Sequence, residues 1–201
     1  MRRIDKNKTF SGSMIITGGG KRLGHMIAEK FAEKGWKIIL HFNNSEKEAI
    51  ILKKKIINAG GKIELIKKEL SDYNSAKEII DFAFEKSFLD NNHNDYFVLI
   101  NNASAFLYDT GIDLSEERLN THLKANFIIP TFLIKEFAAK TQNALNSSVV
   151  NMLDSKLFGL NPDHYSYTLS KYALLGLTKI ASLSYAPLIR VNAIAPGITL
   201  P

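Results

Sequence analysis

Two residues four positions apart, Tyr167 and Lys171, have side chains and a spacing that could do chemistry. Residues at this interval share one face of a helix. A nearby ammonium group stabilises a tyrosinate, so we expect Lys171 to lower the pKa of Tyr167 and prepare its phenol to donate a proton near neutral pH. Two unrelated helix residues would show the same spacing, and the pair therefore has to be interpreted in its context.

A carboxyl group, that of Asp154, precedes Tyr167 by thirteen residues. An ionised carboxylate at the reacting atoms would oppose the oxyanion that forms when a carbonyl is reduced. It suits reduction of a C=N bond, because a ring nitrogen must then be protonated and the ring's amino groups need an acceptor. The next residue, Ser155, is the alternative partner of Tyr167: it would place a hydroxyl beside the phenol instead of the Asp154 carboxyl group.

A glycine-rich run near the N-terminus reads Thr17-Gly18-Gly19-Gly20-Lys21-Arg22-Leu23-Gly24. Small residues let the backbone approach a pyrophosphate, and the start of a helix presents free N–H groups to its charge. A tight turn between a strand and a helix is the alternative interpretation. The run follows a predicted strand and opens a predicted helix, which favours phosphate binding. The residues assigned to this contact are Thr17, Gly18, Lys21, Arg22 and Leu23.

The end of the second predicted strand decides between two dinucleotides. An NAD enzyme places an Asp or Glu there against the ribose hydroxyls, and this chain has none. A 2′-phosphate would instead meet Arg22 and a polar segment, so the sequence predicts NADP. The segment contributes His41, Asn43, Asn44 and Ser45. Ser45 has a second possible role, because Ser45-x-x-Glu48 predicts a capping box.

Short apolar runs alternate along the chain with longer segments of helical period. This alternation predicts a single α/β domain over residues 1–201, a doubly wound parallel sheet with ligands at the carboxyl ends of its strands. The predicted strands are Met14–Thr17, Lys37–Phe42, Lys62–Leu70, Tyr96–Ile100, Ser148–Leu153 and Arg190–Ile194. The predicted helices are Arg22–Lys34, Ser45–Ala59, Ser75–Phe88, Ser115–Lys140 and Asp163–Tyr185.

Composition narrows the class of protein. The absence of Cys excludes disulfides and thiolate metal sites, and we assign no metal. No apolar run approaches the roughly 20 residues of a membrane helix, and no signal peptide is apparent, so we expect a cytoplasmic protein without membrane contact. The net charge of +6 comes from scattered Lys residues, which predicts solvated faces rather than a nucleic-acid surface.

These motifs together resemble the short-chain dehydrogenase/reductase family, whose Rossmann-type sheet has the strand order 3-2-1-4-5-6. The loop Thr17-Gly18-x-x-x-Arg22-x-Gly24 carries Arg22 where most members have a glycine, and Asp154 stands where most have a serine. Both departures are similar to pteridine reductases and dihydromonapterin reductases. The resemblance implies an NADPH-dependent reductase of a C=N bond in a dihydropterin or dihydrofolate. The alternatives are a carbonyl reductase, such as one acting on 3-oxoacyl thioesters, and a noncatalytic NADP-binding remnant.

The resemblance also implies roles for single residues. Lys171 would hold the nicotinamide ribose, and Asn126 would anchor a water on the proton path. The sequence supports a feature at Asn126, since Pro130 has no N–H to bond its carbonyl. Phe106 would stack a pterin against the nicotinamide, with an ordinary buried Phe as the alternative, and Ser104 would bond both ligands. The remaining cofactor contacts would be Glu69, Leu70, Asn102, Ala103, Pro196, Gly197, Ile198 and Thr199.

Members of the family usually continue beyond the point where this chain stops at Pro201. We therefore expect a chain without the seventh strand and the substrate-covering segment, in which the sixth strand is an edge. We also expect a homodimer or homotetramer that binds a small-molecule substrate. The sequence assigns no role to His25, His122 or His164.

Overall fold

A computed structural model describes residues 12–87, 96–142 and 146–197 of the chain. Its six strands are all parallel and lie in the order β3-β2-β1-β4-β5-β6, which confirms the doubly wound sheet that the alternation predicted. The strands are β1 (Gly12–Ile16), β2 (Lys37–Phe42), β3 (Ile63–Lys67), β4 (Tyr96–Asn101), β5 (Asn146–Met152) and β6 (Ile189–Ile194). The helices are α1 (Arg22–Glu33), α2 (Glu46–Asn58), α3 (Tyr73–Lys86), α4 (Glu116–Leu123), α5 (Ile129–Lys140) and α6 (Tyr165–Ser184).

Two apolar cores cover the two faces of the sheet. Successive side chains of a strand point to opposite faces, and on β1 Ile15 packs toward α3, α5 and α6, while Met14 and Ile16 pack toward α1 and α2. All three are fully buried. Strands buried on both faces are continuous apolar runs. Packing on both faces holds these strands in place, and the site lies at their carboxyl ends.

One predicted helix is interrupted. The segment Ser115–Lys140 forms α4 and α5, joined by a wider π-helical turn over Lys124–Ile128 in which the N–H of Ile129 bonds the carbonyl of Lys124. Pro130 has no N–H to donate to the carbonyl of Asn126, so one α-helical hydrogen bond is missing where the π turn ends and α5 begins. The turn carries Asn126, which is buried.

The third strand is shorter than predicted, and this changes the setting of two candidate residues. β3 ends at Lys67, so Glu69 and Leu70 lie in the loop that follows it. Here the N–H of Lys68 bonds the carbonyl of Phe42 in β2. The two residues therefore lie at the carboxyl edge of the sheet.

The predicted capping box at Ser45 is wrong. Ser45 precedes α2 but its side chain makes no capping bond, and Glu48 pairs with Lys21 at 3.0 Å instead. A capping box occurs at α3, where Asp72 accepts from the N–H of Ser75 and the Ser75 hydroxyl accepts from the N–H of Asp72. A serine and a glutamate at the capping spacing therefore do not form a capping box when the glutamate pairs with a nearby lysine.

Within the described ranges, no helix is both long and apolar enough to cross a bilayer. No group of three or more His, Asp or Glu side chains in those ranges is arranged to hold a metal ion. Ile198 and Thr199 lie outside the described residues.

Candidate active site

A cavity of about 1380 Å³ opens at the carboxyl ends of the strands. It brings together most of the predicted site residues, from both halves of the chain. Those on its wall are Gly18, Lys21, Arg22, Leu23, His41, Asn43, Glu69, Leu70, Asn102, Ala103, Ser104, Phe106, Asp154, Tyr167, Lys171, Pro196 and Gly197. Of the predicted residues that the structure describes, four are not on the wall: Thr17, Asn44, Ser45 and Asn126.

The glycine loop forms a cradle that side chains would fill. Gly18 has a φ of +63°, and a Cβ on it would lie 2.9 Å from the Cα of Ala103. A Cβ on Gly20 would lie 2.1 Å from Oγ of Ser45. Glycine is the residue that tolerates both the left-handed backbone and the close approach. The loop therefore keeps backbone available to a ligand at the start of α1.

Arg22 occupies the position of the missing glycine and also adopts a glycine-like backbone, with a φ of +50°. A left-handed conformation is costly for a residue with a side chain and is concentrated at functional sites. The guanidinium is exposed at the cavity, and the first turn of α1 holds no acidic residue. A strained, cationic residue at this helix start suits an anionic ligand.

Thr17 serves the loop rather than the cavity. Its hydroxyl accepts from the N–H of Asn102 at 3.1 Å and from that of Ala103 at 3.0 Å. The Asn102 side chain donates in return to the carbonyls of Thr17 and Gly18, both at 3.0 Å. Thr17 is 1% exposed, so its predicted contact with the cofactor is replaced by a contact that joins two loops.

His41 also has a different role from the predicted one. Its Nδ1 accepts from the N–H of Gly18 at 3.2 Å, so its Nε2 carries the proton and donates to the carbonyl of Lys68 at 2.8 Å. Burial lowers the pKa of His41 below its ordinary value. A neutral ring with both nitrogens engaged positions the glycine loop and has no donor left for a phosphate.

Tyr167 donates a hydrogen bond to Oδ2 of Asp154 at 2.7 Å, and both residues lie on the cavity wall. Burial, followed by the hydrogen bond to Asp154 and the charge of that carboxylate, raises the pKa of Tyr167 above its ordinary value. The expectation that Lys171 lowers this pKa is therefore wrong for this structure. Burial and the adjacent carboxylate both oppose ionisation of the phenol.

Lys171 lies 5.5 Å from the centroid of the Tyr167 ring and donates to the carbonyl of Met152 at 2.8 Å. Burial lowers the pKa of Lys171 to about 8, against the raising effect of Asp154. The helical spacing of four thus does place the two side chains on one face, as predicted. Lys171 remains protonated at neutral pH.

Asp154 begins a short 3₁₀ turn, Ser155–Phe158, directly after β5. Its Oδ1 accepts from the N–H of Lys156 at 2.8 Å, which leaves Oδ2 for Tyr167. Ser155 lies on the cavity wall too, and its N–H bonds the carbonyl of Pro196. The phenol is therefore paired with the carboxylate and not with Ser155, the alternative partner.

Asn126 lies behind the cavity wall. Its Oδ1 accepts from the Ser104 hydroxyl and the N–H of Ala105, both at 2.9 Å. Its Nδ2 donates to the carbonyl of Ala105 at 3.0 Å and to the Ser170 hydroxyl at 2.9 Å. The side chain thus joins the loop after β4 to α6, and its part in a water-mediated proton path stays a prediction.

Phe106 projects into the cavity and is 57% exposed, so the alternative of a buried core Phe is wrong. One face of its ring stacks on His164, with centroids 4.1 Å apart and planes 17° apart. Its ring also meets that of Tyr167 edge-on at 4.7 Å. A planar ligand would find an aromatic wall beside the Tyr167–Asp154 pair.

Sequence reasoning missed a buried polar group behind this wall, formed by Asp109, His122 and Ser166. All three are 0% exposed, and each bonds another member. A sequence signal for one part of it exists, because Arg118, His122 and Asn126 follow one another at intervals of four and share a helix face. The contact of Asp109 with Ser166 spans 57 residues and has no local signal.

Known proteins similar to this chain include pteridine reductase 1 of Leishmania tarentolae, 30% identical over 92% of this chain and 76% of that protein. An uncharacterized oxidoreductase of Thermotoga maritima is 32% identical over 94% of this chain and 73% of that protein. The fold is similar to a crystal structure of FolM alternative dihydrofolate reductase 1 from Brucella suis in complex with NADP. Its TM-score is 0.85 at 31% identity, over 94% of this chain and 76% of that one.

The corresponding protein of Brucella canis, also complexed with NADP, has a TM-score of 0.85 at 30% identity, over all of this chain and 77% of that one. The family model described as short chain dehydrogenase matches residues 13–201. The glycine loop, the strand order and the Tyr167–Lys171 pair on α6 lie within that match. This chain belongs to the short-chain dehydrogenase family.

Proposed function

We propose that this protein is an NADPH-dependent reductase of the C=N bond of a dihydropterin or dihydrofolate. The observation that carries the proposal is the 2.7 Å hydrogen bond from the Tyr167 hydroxyl to Asp154, beside the exposed ring of Phe106. An acceptor, a proton donor and an aromatic wall lie together at one end of the cavity. The names of the similar proteins, a pteridine reductase and two dihydrofolate reductases, support the same substrate class.

The residues of the loop side fit a dinucleotide carrying a 2′-phosphate. The glycines at positions 18 and 20 let the loop pack closely against Ala103 and Ser45, and the start of α1 that follows the loop presents backbone N–H groups to a pyrophosphate. The exposed Arg22 and Asn43 lie near the end of β2, where no acid replaces the phosphate. NADP crystallised with the two similar proteins supports this choice.

When bound, the nicotinamide supplies the hydride. The chain's own residues do the rest. Lys171, buried and still protonated at neutral pH, offers an ammonium to the ribose beside Tyr167. Tyr167 keeps its proton because its pKa is raised, and can pass it on toward a ring nitrogen. Asp154 accepts hydrogen bonds from the amino groups of a pterin edge, as it accepts one from Tyr167.

A carbonyl reductase is the second candidate function. Ser155 on the cavity wall is the one feature that favours it, because a hydroxyl can stabilise an oxyanion. The carboxylate of Asp154, paired with the phenol, would destabilise that charge. The arrangement of these two side chains therefore favours C=N reduction over carbonyl reduction.

The test is NADPH oxidation measured with three substrates side by side: dihydrobiopterin, dihydrofolate and a β-keto ester. We expect turnover of at least one of the first two and little or none of the ester. Turnover of the ester alone would support the carbonyl reductase. NADPH binding without turnover of any of the three would support the noncatalytic remnant.

We further propose that the protein is a homodimer or homotetramer. Several large apolar side chains of α6 and the adjoining π turn are exposed, a property typical of surfaces that pack against another protein. They are Ile128, Leu169, Tyr172, Ile180 and Leu183. Light scattering on the purified protein should give at least twice the mass of one chain, whereas a monomer would contradict the proposal.

A further inference from the structure

The loop between β4 and α4 is held by a row of side chains on the next helix. Arg118, His122 and Asn126 lie four residues apart along α4 and the π turn. Arg118 donates to the carbonyl of Tyr108, and Asn126 bonds the backbone of Ala105 twice. The loop carries Phe106, so the row determines where the aromatic wall of the cavity lies.

Two histidines hold the residue that follows Phe106. The N–H of Leu107 donates to Nε2 of His122 at 3.0 Å, and the carbonyl of Leu107 accepts from Nδ1 of His164 at 3.0 Å. We call this pair of bonds to His122 and His164 the Leu107 clamp. Both polar backbone groups of one residue are thereby fixed, and the Phe106 ring lies on the His164 ring.

The tautomer of His122 follows from its partners. Since Nε2 accepts from Leu107, Nδ1 must carry the proton and donates to Oγ of Ser166 at 2.6 Å. The Ser166 hydroxyl in turn donates to Asp109, which also accepts from the N–H of Ser166 at 3.1 Å. Ser166 precedes Tyr167 in the first turn of α6, so this chain of bonds connects the loop to the proton donor.

The residue types Asp, His and Ser are those of a hydrolytic triad, but the directions of the bonds exclude that use. A nucleophilic serine must give its proton to an unprotonated histidine nitrogen, and here Nδ1 of His122 donates to Ser166. The three side chains are also 0% exposed and no substrate could reach them. The group is a mechanical connection.

His164 shows that the clamp is maintained at a cost. Its φ of +55° is left-handed, which is unfavourable for a residue with a side chain. Glycine would adopt this backbone freely at the start of a helix. The histidine side chain is therefore placed there for its contacts, which are the bond to Leu107 and the stack on Phe106.

We propose that His122 and His164 are positioning residues that hold Phe106 in its edge-on contact with Tyr167, and thereby fix the place of the aromatic wall against which a planar ring substrate packs. The inference rests on the proposed function only for the identity of that substrate. It implies that loss of the clamp weakens substrate binding and leaves cofactor binding unchanged, because the glycine loop is on the other side of the cavity.

The clamp also makes substrate binding sensitive to acid. Protonation of His122 places a second N–H on Nε2, which can no longer accept from Leu107. The groups around His122 are Asp109 of the loop, Arg118 of α4, and His164 and Tyr167 of α6. Burial is the largest effect and lowers the pKa of His122, with Arg118 and His164 adding to it and Asp109 opposing it. The clamp is therefore intact at neutral pH and opens on acidification.

The test uses four variants of the full chain. His122→Ala removes the acceptor for Leu107, and His122→Gln keeps an acceptor that cannot titrate. His164→Gly removes the ring while relieving the backbone. Ser182→Ala is the control, because Ser182 lies at the far end of the same helix as Ser166 and its hydroxyl bonds only within the last turns, to Lys179. For each, we would measure KM and kcat for dihydrobiopterin, the Kd for NADPH, the Tm and the amide exchange of Leu107.

We expect His122→Ala and His164→Gly to raise KM about tenfold, the effect of one lost buried hydrogen bond, with the Kd for NADPH unchanged within twofold. In His164→Gly the Tm should not fall, which a purely structural role would require. The parent should lose kcat/KM through KM on acidification, at a pH below the ordinary pKa of a histidine because burial lowers that of His122, and His122→Gln should lack this limb. An unchanged KM in both variants, or an unchanged acid limb in His122→Gln, would overturn the proposal.

If His122→Ala does not fold, His164→Gly and the pH profile of His122→Gln decide. If the parent reduces no pterin, the proposed function fails while the clamp is still tested. In that case the protection factor of the Leu107 amide, which is its exchange rate in an unfolded chain at the same pH divided by the observed rate, should be high at pH 7 in the parent and fall on acidification, and His122→Gln should remove this fall. A protection factor that stays constant on acidification in the parent would contradict the clamp.

Discussion

The two walls of the cavity are built in different ways. The cofactor-side wall is built around the backbone of the contiguous glycine loop, which Thr17 and Asn102 join to the loop after β4 and to which Arg22 adds a charge. The substrate-side wall consists of side chains from distant parts of the chain, such as Asp154 bonded to Tyr167 and Leu107 bonded to His122. A wall of backbone recognises a charge shared by many ligands, whereas a wall of side chains can change its chemistry by single substitutions.

The largest expected effect is on the substrate side. Tyr167→Phe keeps the ring but removes the hydroxyl, which donates a hydrogen bond to Asp154 and carries the proton proposed for the substrate. We expect turnover of dihydrobiopterin to fall by at least about 100-fold, the usual contribution of a general acid. The Kd for NADPH, measured by fluorescence titration, should stay within twofold. Retained turnover would show that the reacting proton comes from elsewhere.

Asp154→Ser should separate the two candidate reactions. The change removes the carboxylate acceptor and supplies a hydroxyl that can stabilise an oxyanion. We expect pterin turnover to fall about 10- to 100-fold, the loss associated with a charged partner, and reduction of a β-keto ester to become measurable. Asp154→Asn is the matched control, since it removes the charge without adding a hydroxyl. Pterin turnover that survives in both variants would contradict the role of the carboxylate.

A change of pH should affect both the cofactor side and the substrate side, because Lys171 is assigned to the nicotinamide ribose and lies beside Tyr167. Burial lowers its pKa to about 8, so it is an ammonium below that pH and a neutral amine above it. We expect kcat/KM to decline above pH 8, by about tenfold per pH unit. Lys171→Arg stays charged at these pH values, so any activity it retains should not show the decline. A decline of the same shape in this variant would assign it to another group.

The difference between the two walls also explains which parts of the site can be predicted from the sequence. Thr17 to Gly24 form a contiguous motif between a strand and a helix, so its position in the fold followed from the alternation of elements. The pairing of Tyr167 with Asp154 was readable only as a spacing of thirteen residues that the resemblance supplied. The pKa of Tyr167 is raised by burial and by the Asp154 carboxylate, and the spacing of two residues in the sequence does not determine how deeply they are buried.

His41 shows the same limit of sequence interpretation. It is predicted to meet a phosphate because it is polar and ends a strand, whereas in the structure its ring nitrogens bond two backbone groups. Whether a polar side chain faces a cavity or a neighbouring loop depends on contacts between residues far apart in sequence. The same holds for Asp109, whose contact with Ser166 has no local signal in the sequence.

On the cofactor side, Arg22→Gly tests charge against conformation. Glycine suits the φ of +50° better than arginine, so the loop should keep its shape while losing the guanidinium. We expect the Kd for NADPH to rise about tenfold through the lost charge-assisted bonds. The Kd for NADH, measured at the same salt concentration, should stay within twofold. Equal weakening of both would place Arg22 on a part that the two cofactors share.

The smallest expected effect concerns the helix starts that flank the cofactor side. Ser45 makes no capping bond before α2, whereas Asp72 caps α3 through the N–H of Ser75 at 2.8 Å. Asp72→Ala should therefore lower the free energy of unfolding by about 1 kcal/mol, and Ser45→Ala should change it by less than about 0.5 kcal/mol. The free energies of unfolding of the two variants and the parent are measured by urea denaturation.

The Ser45 variant carries one more piece of information about that wall. Its hydroxyl lies against the backbone of Gly20 and not on the cavity, so Ser45→Ala should leave the Kd for NADPH within twofold. A larger loss without a change in stability would show that the hydroxyl reaches the 2′-phosphate when the cofactor is bound. The cofactor-side wall would then depend on a second side chain besides Arg22, and the difference in construction between the two walls would be smaller.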